Sequence, residues 1–175
     1  MSGRDILEAP AARRRTEFLR AVARSTRLHR GLAAPPRTPT AFNAYLKRIR
    51  SSSHLGYWVL TPDGELGGVI NISEIVRGPF QSAYLGYYAF SPHEGHGYMS
   101  QGLRAAIGEA FVVHGLHRLE ANIQPRNLAS RRLVRRLGFR REGFSPKYLK
   151  VGGRWRDHER WALTREDWRS RKAVG

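Results

Sequence analysis

Cysteine is absent from the 175-residue chain, which excludes disulfides, thiolate metal sites and a cysteine nucleophile and fits a reducing compartment. Acidic residues are scarce: 14 Asp and Glu stand against 31 Lys and Arg, a formal net charge of +17. That surplus suits a phosphorylated cofactor, nucleic acid or an acidic partner without choosing among them. The basic residues are spread along the chain, with short clusters at Arg131-Arg132, Arg135-Arg136 and Arg140-Arg141, so general polyanion binding is only a side expectation. Long apolar runs are missing too. None approaches the roughly 20 residues needed to span a bilayer, and the N-terminus lacks the apolar core of a signal peptide. A cytoplasmic protein without membrane association is expected. There is no internal repeat or low-complexity stretch, and the length suits a single domain over residues 1–175.

What is present reads as helices and strands in turn. From Glu8 to Arg30, Ala11, Phe18, Val22 and Leu28 interleave with arginines, the pattern of one or two amphipathic helices. A proline-broken linker, Leu32 to Pro39, leads to a helix over Ala41 to Arg50, with Thr38 or Thr40 as its cap. Tyr57 to Thr61, Glu65 to Ile75 and Gln81 to Phe90 read as three consecutive strands in an antiparallel meander. His117 to Gln124 alternates as a strand, and the helix joining it to Tyr84–Phe90 makes that pair parallel. Asn127 to Leu137 is a short helix with Leu128, Leu133, Val134 and Leu137 inward, closed by Gly138. Phe139–Glu142, Tyr148–Val151 and Trp155–Leu163 read as further strands, the last two turned by Gly152-Gly153.

The chain is organised around Ser91 to Glu109, SPHEGHGYMSQGLRAAIGE, where a strand runs through two close glycines into a helix. Met99, Leu103, Ala106, Ile107, Ala110 and Phe111 mark the apolar face of that helix. Strand, Gly-x-Gly and helix together form a phosphate cradle: glycines admit an anion to the backbone amides, and the helix N-terminus carries partial positive charge. Gly-x-Gly alone does not name the anion.

Four features in this order, the strand YLGYYAF, the loop HEGHGYM, the segment EANIQPRNLASRRLVRRLGF and the ending KYLKVGGRWRDHERWAL, resemble the GNAT superfamily of acyl-CoA-dependent N-acetyltransferases. The resemblance covers roughly residues 57–163 and points to the RimJ/RimL-like branch, which acetylates protein N-termini, including those of ribosomal proteins. It implies an α/β (α+β) GNAT fold, with a mixed, mostly antiparallel twisted sheet of about seven strands flanked by helices. The sheet would be splayed between its fourth and fifth strands to admit the pantetheine arm. The implied co-substrate is acetyl-CoA, with no metal, and the implied acceptor is a primary amine, foremost a protein or peptide N-terminus. A small-molecule amine, or an inactive RNA- or ribosome-binding module on the same fold, are the alternatives. The charge suits work near ribosomal RNA, and a monomer or homodimer is expected.

Residue roles follow from the same resemblance. Gly95, His96, Gly97, Tyr98 and Met99 would hold the CoA pyrophosphate, although Glu94 stands where Gln or Arg is usual and Met99 replaces a small residue. A backbone amide at Ala89 or Phe90 would face the thioester oxygen. Asn127 would bind the pantetheine, and Ser130 would donate a proton to the leaving thiolate. The tyrosine that many members use later on this helix is here Val134. Residues alone permit a plainer reading, in which Asn127 caps the helix. The acid expected just before Tyr148 is Lys147, so Glu74, at a strand end, is the substitute base, with His158 or a water relay as the other choices. Tyr148 and His158 are expected beside the acceptor.

Overall fold

The structure, a computed structural model, describes residues 6–174. Its elements are β1 (Leu7–Glu8), a 3-10 turn, α1 (Arg15–Arg24), α2 (Thr26–His29), α3 (Pro39–Ile49), β2 (Leu55–Leu60), β3 (Leu66–Val76), β4 (Ser82–Ala89), α4 (Tyr98–Val112), β5 (Arg118–Ile123), α5 (Leu128–Leu137), β6 (Arg140–Val151), β7 (Arg154–Thr164) and α6 (Arg165–Val174). The strands form one seven-stranded sheet in the order β1-β2-β3-β4-β5-β7-β6, antiparallel except for β4 with β5. Among the described residues no helix is long and apolar enough to cross a membrane.

Strand alternation sends side chains to opposite faces, and both faces are covered. On one face Val59, Ile70, Leu85, Leu119 and Trp161 meet Leu103, Ala106, Ile107 and Phe111 of α4 and Val134 of α5. On the other, Trp58, Val69 and Phe90 meet Phe18 and Val22 of α1 and Phe42 and Tyr45 of α3. Phe18 centres an aromatic cluster there, with ring centroids 5.1 Å from Phe42 and 5.7 Å from Trp58. Burying each such ring contributes about 1.5–3 kcal/mol.

The β2–β4 meander and the parallel β4–β5 pair agree with the sequence pattern. That parallel pairing holds only from Ser82–Arg118 to Tyr84–Glu120. Beyond it the strands splay, and β4 presents a free edge. Thr38 caps α3 by accepting from the Ala41 amide at 3.2 Å.

Three expectations change. The two strands read over Phe139–Glu142 and Tyr148–Val151 are one, β6, whose register slips between Ser145 and Leu149. Pro146 and Lys147 do not end it, because a bulge absorbs them: Lys147 turns to φ 48, and its amide donates to Asp157 Oδ1 at 2.8 Å. Leu128 is not inward but 53 % exposed, at the first position of α5. β1 was not anticipated, since two residues carry no periodicity.

Candidate functional site

The free edge of β4 follows from the ladder. Phe90 donates its amide to Gly67 O of the β3 side at 2.9 Å, so the even positions of β4 point to β3. Tyr87 and Ala89 therefore turn their backbone groups the other way, into the splay. Of the two amides expected to face a thioester oxygen, Phe90's is committed to Gly67, and Ala89's remains. Ala89 O is taken by His29 Nε2 at 2.7 Å, and since a carbonyl only accepts, that nitrogen carries the proton. His29 is buried, and desolvation lowers its pKa, with Arg37 acting in the same direction against the bond to Ala89.

The splay opens into a cavity of about 320 Å³ that runs to the start of α4 and is lined by Tyr88, Ala89, Gly95, Gly97, Met99 and Ser130 among others. Gly97 precedes α4 in the left-handed region at φ 84, with no side-chain cap and no acidic residue in the helix's first turn. The first-turn amides thus lack helical acceptors and face the cavity's end, as a pyrophosphate requires. Met99 is accommodated by Gly68, where an added Cβ would lie 2.3 Å from Met99 Sδ. The Glu94 carboxylate accepts from Ser91 Oγ at 3.1 Å. His96 is exposed, stacks on Tyr98 at 5.8 Å and directs Nδ1 to Glu94 O, and it does not line the cavity.

Asn127 does cap α5, accepting from the Ser130 amide at 3.2 Å. The plainer reading is therefore present in the structure, and it places Ser130. The Ser130 hydroxyl meets the Tyr87 hydroxyl at 2.5 Å. Burial pushes Tyr87 up to about 12, with the bond to Ser130 opposing. A tyrosine thus reaches this point from β4, although none occurs at Val134.

Ser130 and Tyr87 also line a second cavity, of about 220 Å³, on the far side of the splay with Asn71, Asn122, Gln124 and His158. His158 is 3 % exposed. Its Nδ1 must donate to Arg156 O, at 2.9 Å, which leaves the Nε2 lone pair as an acceptor. Asn122 Oδ1 is buried without a partner in the same cavity. Tyr148 lies 6.4 Å from His158, ring to ring, and its bond to Tyr84 raises the Tyr84 pKa. Glu159, one residue on, faces the opposite way and meets Arg131 and Arg141 at 3.0 and 3.4 Å.

Most of the anticipated residues converge: Ala89, Gly95, Gly97, Tyr98, Met99, Asn127 and Ser130 line the first cavity, and His158 lines the second. Glu74 does not join them. It sits at a bulge of β3 with φ 52, its side chain 69 % exposed and 3.7 Å from His54, and it lines neither cavity. Sequence reasoning missed His29, Tyr87 and Asn122. Tyr87 and Asn122 lay in recognised strands and could have been found by facing alternation across the splay, whereas nothing marked His29 within an amphipathic helix. Among the described residues no cluster of His, Cys, Asp and Glu could hold a metal.

Residues 6–140 match the model of the acetyltransferase (GNAT) domain family. The chain is 39 % identical over 135 residues to the [ribosomal protein uS5]-alanine N-acetyltransferase of Escherichia coli, covering 74 % of this chain and 70 % of that one. Among solved structures, Mycobacterium smegmatis RimJ in complex with CoA-disulfide superposes with a TM-score of 0.82 at 28 % identity, over 91 % of this chain and 81 % of that one. Vibrio cholerae spermidine N-acetyltransferase in complex with CoA and spermine shares the fold, with a TM-score of 0.79 at 19 % identity over 93 % and 96 % of the chains.

Proposed function

The chain belongs to the GNAT acetyltransferase family and is an acetyl-CoA-dependent N-acetyltransferase, and on that premise we propose that its acceptor is a protein N-terminal α-amine, as in the ribosomal-protein enzymes. The observation that carries this reading is the meeting of two cavities at Ser130 and Tyr87, one running to the helix N-terminus and one ending at His158 and Asn122. The first suits CoA: glycine-backed amides for its phosphates, an apolar wall for its pantetheine, and Asn127 and Ser130 beside the sulfur. The second suits an amine, because Asn122 Oδ1 is a buried acceptor without a partner and His158 presents its acceptor nitrogen, Nε2.

Bound acetyl-CoA supplies an acetyl thioester at this junction. The Ala89 amide, facing the splay, donates to the carbonyl oxygen as negative charge develops there. Asn122 and His158 orient the neutral amine, and His158 Nε2 takes the proton it sheds as the C–N bond forms. Ser130 Oγ donates to the sulfur as the C–S bond breaks, and Tyr87 backs Ser130 with its own hydroxyl. A protein N-terminus titrates near 8, so a modest base is sufficient. No covalent enzyme intermediate is required.

Thiol release from acetyl-CoA tests the reading. A peptide with a free α-amine should be turned over and its N-acetylated twin should not. His158→Gln should lower kcat/KM about 100-fold, while Glu74→Gln leaves it intact. The reverse result would return the base to Glu74.

A further inference from the structure

Beyond the inner cavity lies a third, open groove of about 880 Å³ between α2, the proline-rich segment 31–38 and the exposed face of α3, with Gly152 of the β6–β7 turn opposite. It is joined to the site: His29 lines both this groove and the CoA cavity, Ala33 lines all three cavities, and Tyr45 passes from the groove to Asn71 at 3.3 Å. Its volume is at the upper end for ligand sites, enough for several residues of an extended peptide. The segment over it is tied down, because Gly31 O accepts from both Gln124 and Arg126, at 2.8 and 2.9 Å.

The charge of this groove is one-sided. Arg30, Arg37 and Arg48 line it, and among the described residues no Asp or Glu does. None of the three forms an ion pair with a carboxylate among the described residues, whereas Arg14, Arg118, Arg131 and Arg141 elsewhere each do. Among the described residues no carboxylate lines the second cavity, the one with His158 and Asn122, either. An acceptor carrying several ammonium groups would have to thread its charges past three arginines with nothing to neutralise them. We propose that the groove selects protein N-termini whose residues just downstream of the α-amine are acidic, and that it rejects polyamines and basic N-termini.

The inference rests on the N-terminal acetyltransferase reading and deepens it. The α-amine reaches His158 and Asn122, the following residues cross Ala33, and their carboxylates lie among Arg30, Arg37 and Arg48. All three arginines are exposed, so these pairs are open to screening by salt.

The test compares peptides with identical first residues and acidic, neutral or basic downstream positions, alongside spermidine, in a thiol-release assay. A fluorescent acidic peptide measured by anisotropy with CoA present supplies a readout independent of turnover. The acidic peptide should exceed the neutral one about tenfold in kcat/KM, through KM, and lose that advantage as salt rises. Arg37→Glu with Arg48→Glu should remove the acidic preference and favour the basic peptide, with CoA affinity unchanged as the control for folding. Equal use of all three peptides, or an acidic preference that survives the double reversal, overturns the proposal and leaves the N-terminal acetyltransferase reading standing. Turnover of spermidine above every peptide overturns both. If no amine is acetylated, the acceptor reading fails, and anisotropy decides the groove: binding that the double reversal abolishes sustains an acidic-peptide site, and absent binding removes it. Displacement of the peptide by an RNA oligonucleotide, with neutral peptide bound equally well, would make the surface a general polyanion site and overturn the proposal.

Discussion

The two walls of the splay are made of different material. On the side proposed for CoA the chemistry is backbone: the left-handed turn at Gly97, the first-turn amides of α4 and the free edge at Tyr87 and Ala89. On the side proposed for the acceptor it is side chains: Asn122 Oδ1, His158 Nε2 and the arginines of the outer groove. A backbone wall should tolerate changes of side chain, Glu94 and Met99 among them. A side-chain wall changes its ligand with each substitution. Specificity should therefore lie on the second wall and cofactor use on the first, with Ser130 and Tyr87 at the seam.

The largest effect is expected at that seam. Ser130→Ala combined with Tyr87→Phe should lower kcat about 100- to 1000-fold with KM for acetyl-CoA little changed, since the proposed mechanism has Ser130 protonate the departing sulfur and Tyr87 back Ser130. Each single change should cost less, and the two should not add, because the pair shares one hydrogen bond. Single-turnover rates of acetyl-CoA consumption check this. Full activity in the double variant would assign the thiolate's proton to solvent and dissolve the seam.

A middle-sized effect sharpens the contrast. Gly97→Ala adds a Cβ in open space but at φ 84, so the cost is strain of about 1–2 kcal/mol. If the turn relaxes instead, its amides leave the phosphates, and CoA affinity should fall about tenfold. Glu94→Gln, a change of side chain on the same wall, should alter CoA affinity far less. Equilibrium binding of CoA to the two variants separates these outcomes. A larger loss in Glu94→Gln would mean that the wall depends on side chains after all.

The same contrast governs how much of the molecule was legible beforehand. Patterning gave the meander, α4 and α5, because each buries a periodic face. The glycine turn was legible because glycines at fixed spacing after a strand have a local meaning, so Gly95 and Gly97 could be named as an anion cradle from short range, whereas Asn127 and Ser130 were named through the family resemblance and locally read as a helix cap. The acceptor wall is assembled from β3, β5, β7 and the N-terminal helices, residues more than a hundred positions apart. Asn122 looks like any polar residue on a strand until the strand beside it is known to diverge. Glu74 was favoured because its strand borders the cleft, but a bulge at Glu74 itself turns it toward His54. β6 read as two strands because Pro146 signals a break that the Lys147 bulge absorbs.

The smallest expected effect concerns His29, which touches both walls: it holds Ala89 O and lines the CoA cavity and the outer groove. Burial is the largest influence on its pKa and lowers it, so the folded protein binds this proton less readily than the unfolded chain does. The unfolded state then carries more protons as pH falls through the ordinary histidine range, near 6.5. The stability that neutral His29 contributes is present above that range and lost below it. His29→Gln retains a donor for Ala89 O without a titrating group, so its melting temperature should change less than that of the wild type between about pH 7 and pH 5. Acidic residues such as Glu142, whose pKa is lowered by Arg118, lose their contribution only at lower pH and do not enter this window. Identical pH slopes in the two proteins would show that His29 is free to take up its proton in the folded state, and that the two walls are not braced through a neutral imidazole.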